Sequence, residues 1–481
     1  MITKSKYMKG EQCLRLLWLA HKKQLPEISL ADQHRFDQGG IFEKHVKVLY
    51  PKGIELGNLE FNENIEKTKE LIKKKKIIFE AGILYKDLFI RADILEPSKD
   101  GWNLYEIKSS TSEKKIKIYK VDLAFQKFVL EKAGLKIKKC FVLMLNREYV
   151  KNGKINAKEL VLKKDITEEV ELVEDVEKIA NKYLAIIKQG KEPDMIISKN
   201  CNQPYKCPLK DKCWGTLPEN NVLQLRKWQD YWKFFDQGII AMKDIPKGTP
   251  LTPKDTIIRQ GALTKKVVVI KDKIKEFLDS LKYPLYHFDF ETFDTAIPIY
   301  DNSRPYQKIP FQYSLHIEQK DGKLEHFEYL SDGNEDPRIG LLKQLKNEIE
   351  GTGSVIVFNK SFEIGVLKKL AEDFPEHNDW IQDVIDRIID LALPFQNFYY
   401  YCPSQKGSYS IKKVLPAITG KSYDDLEISN GAEASVQYFN SHIKDKLDVK
   451  EKLRKDLLKY CCLDTEGMVC ILKGLKKLIR K

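Results

Sequence analysis

Residues 286–293 read YHFDFETF, two carboxylates set inside a run of aromatic side chains. In an extended strand, successive side chains point to opposite faces. His287, Asp289 and Glu291 therefore share one face, and Tyr286, Phe288 and Phe290 share the other. The aromatic face can seat in a core. The acidic face cannot, because like charges side by side repel unless something positive lies between them.

Two further acids stand where helical periodicity asks for a hydrophobe. SVIVFN predicts a buried strand and SFEIGVLKKLAEDF a helix, in which Glu363, Val366, Leu367 and Leu370 follow the i, i+3, i+4, i+7 pattern. Later, LLKYCCLDTEGMVCILKGL puts Leu457, Cys461, Asp464, Met468 and Leu475 on one stripe, with Tyr460 one turn before Asp464. A buried carboxylate costs several kcal/mol unless it is paired or bound to metal. Lys412 and Lys413 do not balance four such acids, whereas two divalent cations about 4 Å apart would.

Asp289-x-Glu291 in a first strand, Asn359-Lys-Ser-Phe362-Glu363 at a strand–helix junction, and Tyr460-Cys-Cys-Leu-Asp464 on a late helix resemble the three motifs of DEDD exonucleases. The resemblance covers about the last 200 residues. It implies an RNase H-like fold over 281–481, with Mg²⁺ or Mn²⁺ held by Asp289, Glu291, Glu363 and Asp464. Tyr460 would orient the attacking water. Glu363 departs from the aspartate that usually ends the second motif.

The first part of the chain carries a second set. LFIRADILE and WNLYEIKSS predict successive strands, joined across PSKDG, that bring Asp93 near Glu106 and Lys108. The opposing expectation, a surface ion pair between Glu106 and Lys108, fits poorly with Trp102 and Leu104 on the same face. Asp93-x12-Glu106-x-Lys108 resembles the PD-(D/E)XK nucleases, RecB-like members above all. That resemblance implies a restriction-endonuclease-like fold over 1–215, metal on Asp93 and Glu106, Lys108 as a catalytic residue, and His45 as a further metal ligand. Gln126 takes the place of a helical glutamine of that family, although Leu130 stands where an aromatic residue usually follows.

NCNQPYKCPLKDKCW holds Cys201, Cys207 and Cys213 in a polar loop expected to be too exposed for core thiols. With Cys13, four thiolates suit zinc or an iron–sulfur cluster, and the three-plus-one spacing points to the cluster. RecB-like nucleases with a [4Fe–4S] staple share this plan. Cys140, Cys402, Cys461, Cys462 and Cys470 lie in apolar or aromatic surroundings and are expected to be core thiols.

A length of 481 residues calls for two or three domains, and 42% hydrophobic residues suffice for real cores. Residues 216–280 are expected to form a connector. No stretch is long and apolar enough for a membrane helix and MITKSKYMKG lacks a signal-peptide core, so the expected location is cytoplasmic. The net charge of +13 favours a polyanion. DNA at single strands or ends is the expected partner, with RNA as the alternative. The lysine run at 73–76 is expected to be the solvated side of a helix.

The whole resembles a prokaryotic fusion of a RecB-like nuclease and a DEDD-type exonuclease. A nucleic-acid-binding scaffold with decayed sites is the competing class, and Glu363 favours it. A carboxylate-pair glycosidase does not fit, because Asp289 and Glu291 are too close on one strand to flank a sugar bond at roughly 5–9 Å.

Overall fold

Strands and helices alternate through the chain and form α/β layers on mixed sheets. The computed structural model describes residues 1–444 and 450–480. The chain divides into two compact units, Met1–Thr216 with Thr295–Gln307, and Leu217–Asp294 with Lys308–Lys481. Among the described residues, no helix is long and apolar enough to cross a membrane.

In the first unit, β1 (Ile2–Thr3) leads into helices α1 (Lys4–Gln12), α2 (Leu14–His21) and α3 (Leu30–Lys47). Then come β2 (Ile54–Glu55), α4 (Phe61–Lys73), β3 (Ile78–Tyr85), β4 (Leu88–Ser98) and β5 (Gly101–Lys108). Helix α5 (Ile116–Lys132) precedes β6 (Ile137–Leu145) and β7 (Val161–Asp165). The sheet runs β2-β3-β4-β5-β6-β7. Strands β3, β4 and β5 are antiparallel neighbours, and α5 spans the connection that makes β5 and β6 parallel. Strand β5 pairs with β4 only from Ile94 onward, which leaves Leu88 and Phe89 free to pair with β1. That pairing carries α1 to the sheet, where Tyr7 stacks on Phe125 of α5 at 4.2 Å. The lysines at 73–76 are exposed at the C-terminal end of α4, where positive charge favours the helix dipole.

The second unit begins with the supposed connector, which is folded. Val222, Leu225, Met242, Ile245 and Ile258 form a buried cluster with Phe398 and Tyr401. Strand β8 (Val268–Val269) pairs with β14 (Tyr400–Tyr401). The main sheet contains β9 (Leu285–Phe293), β10 (Ile309–Glu318), β11 (Leu324–Leu330), β12 (Val355–Val357) and β13 (Ile388–Asp390), in the order β11-β10-β9-β12-β13. The first three are antiparallel; β12 and β13 run parallel to β9.

Register sorts the faces. Phe290, Phe288 and Tyr286 lie opposite Tyr313, Leu315 and Ile317, and all six pack against α6 (Pro337–Glu348), α7 (Ser361–Asp373) and α8 (Asn378–Asp386). Glu291, Asp289 and His287 lie opposite Gln312, Ser314 and His316. Against this polar face lies the 31-residue α10 (Lys450–Arg480), with α9 (Ile411–Thr419) packed on α10.

The cysteines depart from expectation in both directions. Cys140 and Cys461 are buried, but Cys402, Cys462 and Cys470 are only half-buried. Cys207 and Cys213 are buried, because the loop closes on itself with the Cys207 N–H donating to the Cys201 carbonyl at 2.9 Å.

Candidate functional site

In the second unit, Asp289, Glu291 and Asp464 each offer a carboxylate oxygen within 4.8 Å of the others. Strand β9 supplies two of them, two residues apart on one face, and α10 supplies the third. Glu363 projects from the first turn of α7, 2% exposed, and its Oε2 has no hydrogen-bond partner. It lies outside the 4.8 Å group, yet its charge acts on both Asp289 and Glu291.

Burial is the first cause of the proton affinity here, and mutual repulsion adds to it. Asp289 is pushed well above the usual carboxylate range by burial, then by Asp464, Glu291 and Glu363. Burial and the neighbouring acids raise Glu291 to about 8. Burial, then Asp390 and Asp464, do the same for Glu363. Burial raises Asp464 to about 6, against the opposing effects of Tyr423 and Lys412. Asp289, Glu291 and Asp464 are a donor set that could hold a metal ion.

Of the neighbours, Tyr423 and Gly431 escaped the sequence reading. The Tyr423 hydroxyl donates to Asp464 Oδ1 at 2.6 Å. Lys412 lies over the rings of Tyr423 and Tyr460, 5.3 and 5.2 Å from their centroids, and donates to the Ser429 carbonyl. Gly431 opens an eight-residue helix so close to the site that a Cβ there would sit 3.2 Å from Glu291 Oε2. Asp390 accepts from the backbone N–H groups of Asn359 (2.9 Å), Lys360 (3.2 Å) and Ala392 (2.9 Å), and so anchors the turn that starts α7. Tyr460 is buried, and burial followed by Asp464, Glu291 and Asp289 pushes its hydroxyl far up.

In the first unit, Asp93 on β4 and Glu106 on β5 do converge, but on a lysine. Lys4, the first residue of α1, places Nζ 3.1 Å from Asp93 Oδ1 and 3.0 Å from both Glu106 oxygens. Lys108 bridges Glu106 at 2.6 Å and Asp122 at 2.9 Å. Gln126 Nε2 donates to Glu106 Oε2 at 2.6 Å and to Asp122 Oδ1 at 3.1 Å. Asp93 accepts from the Ile107 N–H at 2.6 Å.

Burial and Glu106 raise Asp93 to about 6. Burial would raise Glu106 too, but Lys108 and Lys4 bring it down to about 2. Glu80, raised to about 7 by burial and by Asp93, is another acid missed from sequence. His45 is half-buried on α3, and burial lowers its imidazole; among the described residues it shares no group of three ligand atoms within 4.8 Å with Asp93 and Glu106.

Cys13, Cys201 and Cys213 lie within electrostatic reach of Cys207. Cys13 adopts an extended backbone (φ −165°, ψ 128°) that separates α1 from α2. Burial raises the Cys207 thiol to about 11, and the charges of Cys13, Cys201 and Cys213 act in the same direction. No three of these sulfurs approach within 4.8 Å of one another, whereas a tetrahedral zinc site with Zn–S of about 2.3 Å holds its sulfurs roughly 3.8 Å apart.

A profile described as a domain of unknown function (DUF2779) matches residues 286–410. That stretch contains Asp289, Glu291, Glu363 and Asp390 and stops before Tyr423, Tyr460 and Asp464. The chain is also similar to the uncharacterized protein UU173 of Ureaplasma parvum, 28% identical over 41% of this chain and 32% of the relative. It is 29% identical to the uncharacterized protein MG366 of Mycoplasma genitalium over 48% of this chain and 38% of the relative. The homolog of MG366 in Mycoplasma pneumoniae is 29% identical over 43% of this chain and 34% of the relative. The chain thus matches about a third of the length of these curated relatives.

Proposed function

We propose that the chain is a divalent-metal-dependent nuclease that hydrolyses DNA phosphodiester bonds at single strands or ends. The observation that carries this is the convergence of Asp289, Glu291 and Asp464 within 4.8 Å, beside a buried Glu363 oxygen without a partner. Every donor is a carboxylate oxygen, the hard ligand set that Mg²⁺ and Mn²⁺ take. When bound, such ions lower the pKa of water and neutralise charge on the phosphate.

The chain's own residues do the rest. Tyr460 remains a protonated donor, able to hold a water against the acids. Tyr423 fixes the Asp464 carboxylate by its 2.6 Å hydrogen bond. Lys412, seated over both rings, offers a fixed positive charge to a phosphate oxygen. The strand order, with three antiparallel strands followed by two parallel to the first, agrees with an RNase H-like fold for this unit. In the first unit, Asp93 and the Glu106–Lys108 pair on adjacent strands agree with a PD-(D/E)XK fold. The electrostatic reach of Cys13, Cys201 and Cys213 to Cys207 supports a four-thiolate site, for which a [4Fe–4S] cluster is the proposed occupant.

A second reading applies to the first unit alone. Lys4 already neutralises Asp93 and Glu106, which favours a nucleic-acid-binding role without cleavage there. Digestion of end-labelled single strands in Mn²⁺ or Mg²⁺ tests both. Activity should fall sharply in Asp289→Ala, and any remainder should vanish when Asp93→Ala is added. A double variant as fast as the parent overturns the proposal. Salt-sensitive binding with no cleavage in any divalent metal would establish the binding role.

A further inference from the structure

On the same polar face of the second sheet, a different set of donors converges. His316 of β10, His326 of β11 and Cys462 of α10 each offer a ligand atom within 4.8 Å of the other two. The imidazoles lie face to face, 4.3 Å between centroids and 26° apart in plane.

Hydrogen bonding dictates where their protons sit. Thr465 Oγ1 is 3.1 Å from the Cys462 carbonyl, which can only accept, so Thr465 gives its one proton there. His316 Nδ1, 2.8 Å from Thr465 Oγ1, must then be the donor in that pair. Ser314 Oγ, 2.7 Å from Thr465 Oγ1, must likewise donate to it. Ser314 has no proton left for His326 Nε2 at 3.0 Å, so that nitrogen donates too. All four contacts are met in this one arrangement. It leaves the lone pairs of the neutral rings on His316 Nε2 and His326 Nδ1. Hydrogen-bonding the far nitrogen of each ring is how metal-binding histidines are oriented.

We propose that His316, His326 and Cys462 bind a zinc ion that clamps α10 onto β10 and β11. Two imidazoles and a thiolate are a borderline-soft set, which selects Zn²⁺ over the Mg²⁺ or Mn²⁺ preferred by all-carboxylate sites. Glu328, whose charge reaches Cys462, lies outside the 4.8 Å group, and water would be the fourth ligand. Cys462 and Asp464 are two residues apart on α10, so the clamp would set the position of Asp464. The inference does not rest on the nuclease reading, and its readouts are independent of cleavage.

The test uses the full chain, stripped by chelator under reducing conditions and titrated with Co²⁺ and then Zn²⁺. The parent should bind one equivalent more than Cys462→Ser and His326→Gln. The parent-minus-variant Co²⁺ spectrum should show a thiolate-to-cobalt charge-transfer band that Zn²⁺ abolishes. Affinity at this site should fall at least ~100-fold in either variant. Thermal melts of the stripped proteins check folding, and His326, on a half-exposed strand, is the safer replacement. A further measurement needs only the parent: Zn²⁺ should protect His326 from acylation by diethylpyrocarbonate, read by mass spectrometry. Equal metal stoichiometry and identical Co²⁺ spectra in parent and variants, or no protection of His326, would overturn the site.

Discussion

Asp289 illustrates how a single side chain can oppose the stability of the fold that holds it. Its carboxylate is surrounded by Asp464, Glu291 and Glu363, all acting to push its proton affinity up. Asp289→Asn should therefore raise the melting temperature of metal-free protein by about 4 °C, while erasing stabilisation by Mg²⁺ or Mn²⁺ and lowering turnover at least ~100-fold. The sign of the pH effect follows. Glu291 and Glu363 are raised to about 8 and Asp464 to about 6, so the folded chain keeps protons that an unfolded one, with carboxyls near about 4, has released. Metal-free stability should fall as pH rises from about 4 to about 8, and saturating Mg²⁺ should flatten the fall. Denaturant titrations across that range, with and without the ion, measure it. Lys4 presents the opposite case. Lys4→Ala leaves Asp93 and Glu106 facing each other, and should cost about 3 kcal/mol in chemical unfolding while tightening divalent binding to the first unit. Unchanged calorimetric metal binding there would show that Lys4 does not compete with the ion.

Helices and turns decide whether these side chains meet. Glu363 stands beside the acid cluster because α7 starts where it does, and Asp390 anchors that start through the Asn359 and Lys360 N–H groups. Asp390→Ala should cost about 1–3 kcal/mol and weaken metal binding, although Asp390 is not itself a ligand here. Isothermal titration with Mn²⁺ checks this, and affinity equal to the parent's would refute the positioning role. The periodicities of YHFDFETF and SFEIGVLKKLAEDF were legible in the sequence, because alternation and the 3.6-residue repeat are local properties of the chain. The supposed connector was not. Its turn-rich composition hides Val222, Met242 and Ile258, which become a core only against Phe398 and Tyr401, more than a hundred residues on.

The whole molecule joins two α/β units, each with its own core and its own gathered polar groups. Calorimetry should resolve two transitions. Cys207→Ser should lower that of the first unit by several degrees and leave the other in place; a shift in both would show that the cysteine group is not confined to the first. Anaerobically purified parent should be brown, and colourless protein carrying stoichiometric zinc at the four cysteines would exclude the cluster. The inward face of Asp289 and Glu291, the buried stripe through Asp464 and the strand pair bearing Asp93 and Glu106 follow from spacing alone. The partners of those acids do not. Lys4, Tyr423 and the Gly431 backbone come from segments far from those acids in the chain. Side-chain period says which way a residue faces, whereas what it faces is decided by long-range packing, which no local repeat encodes.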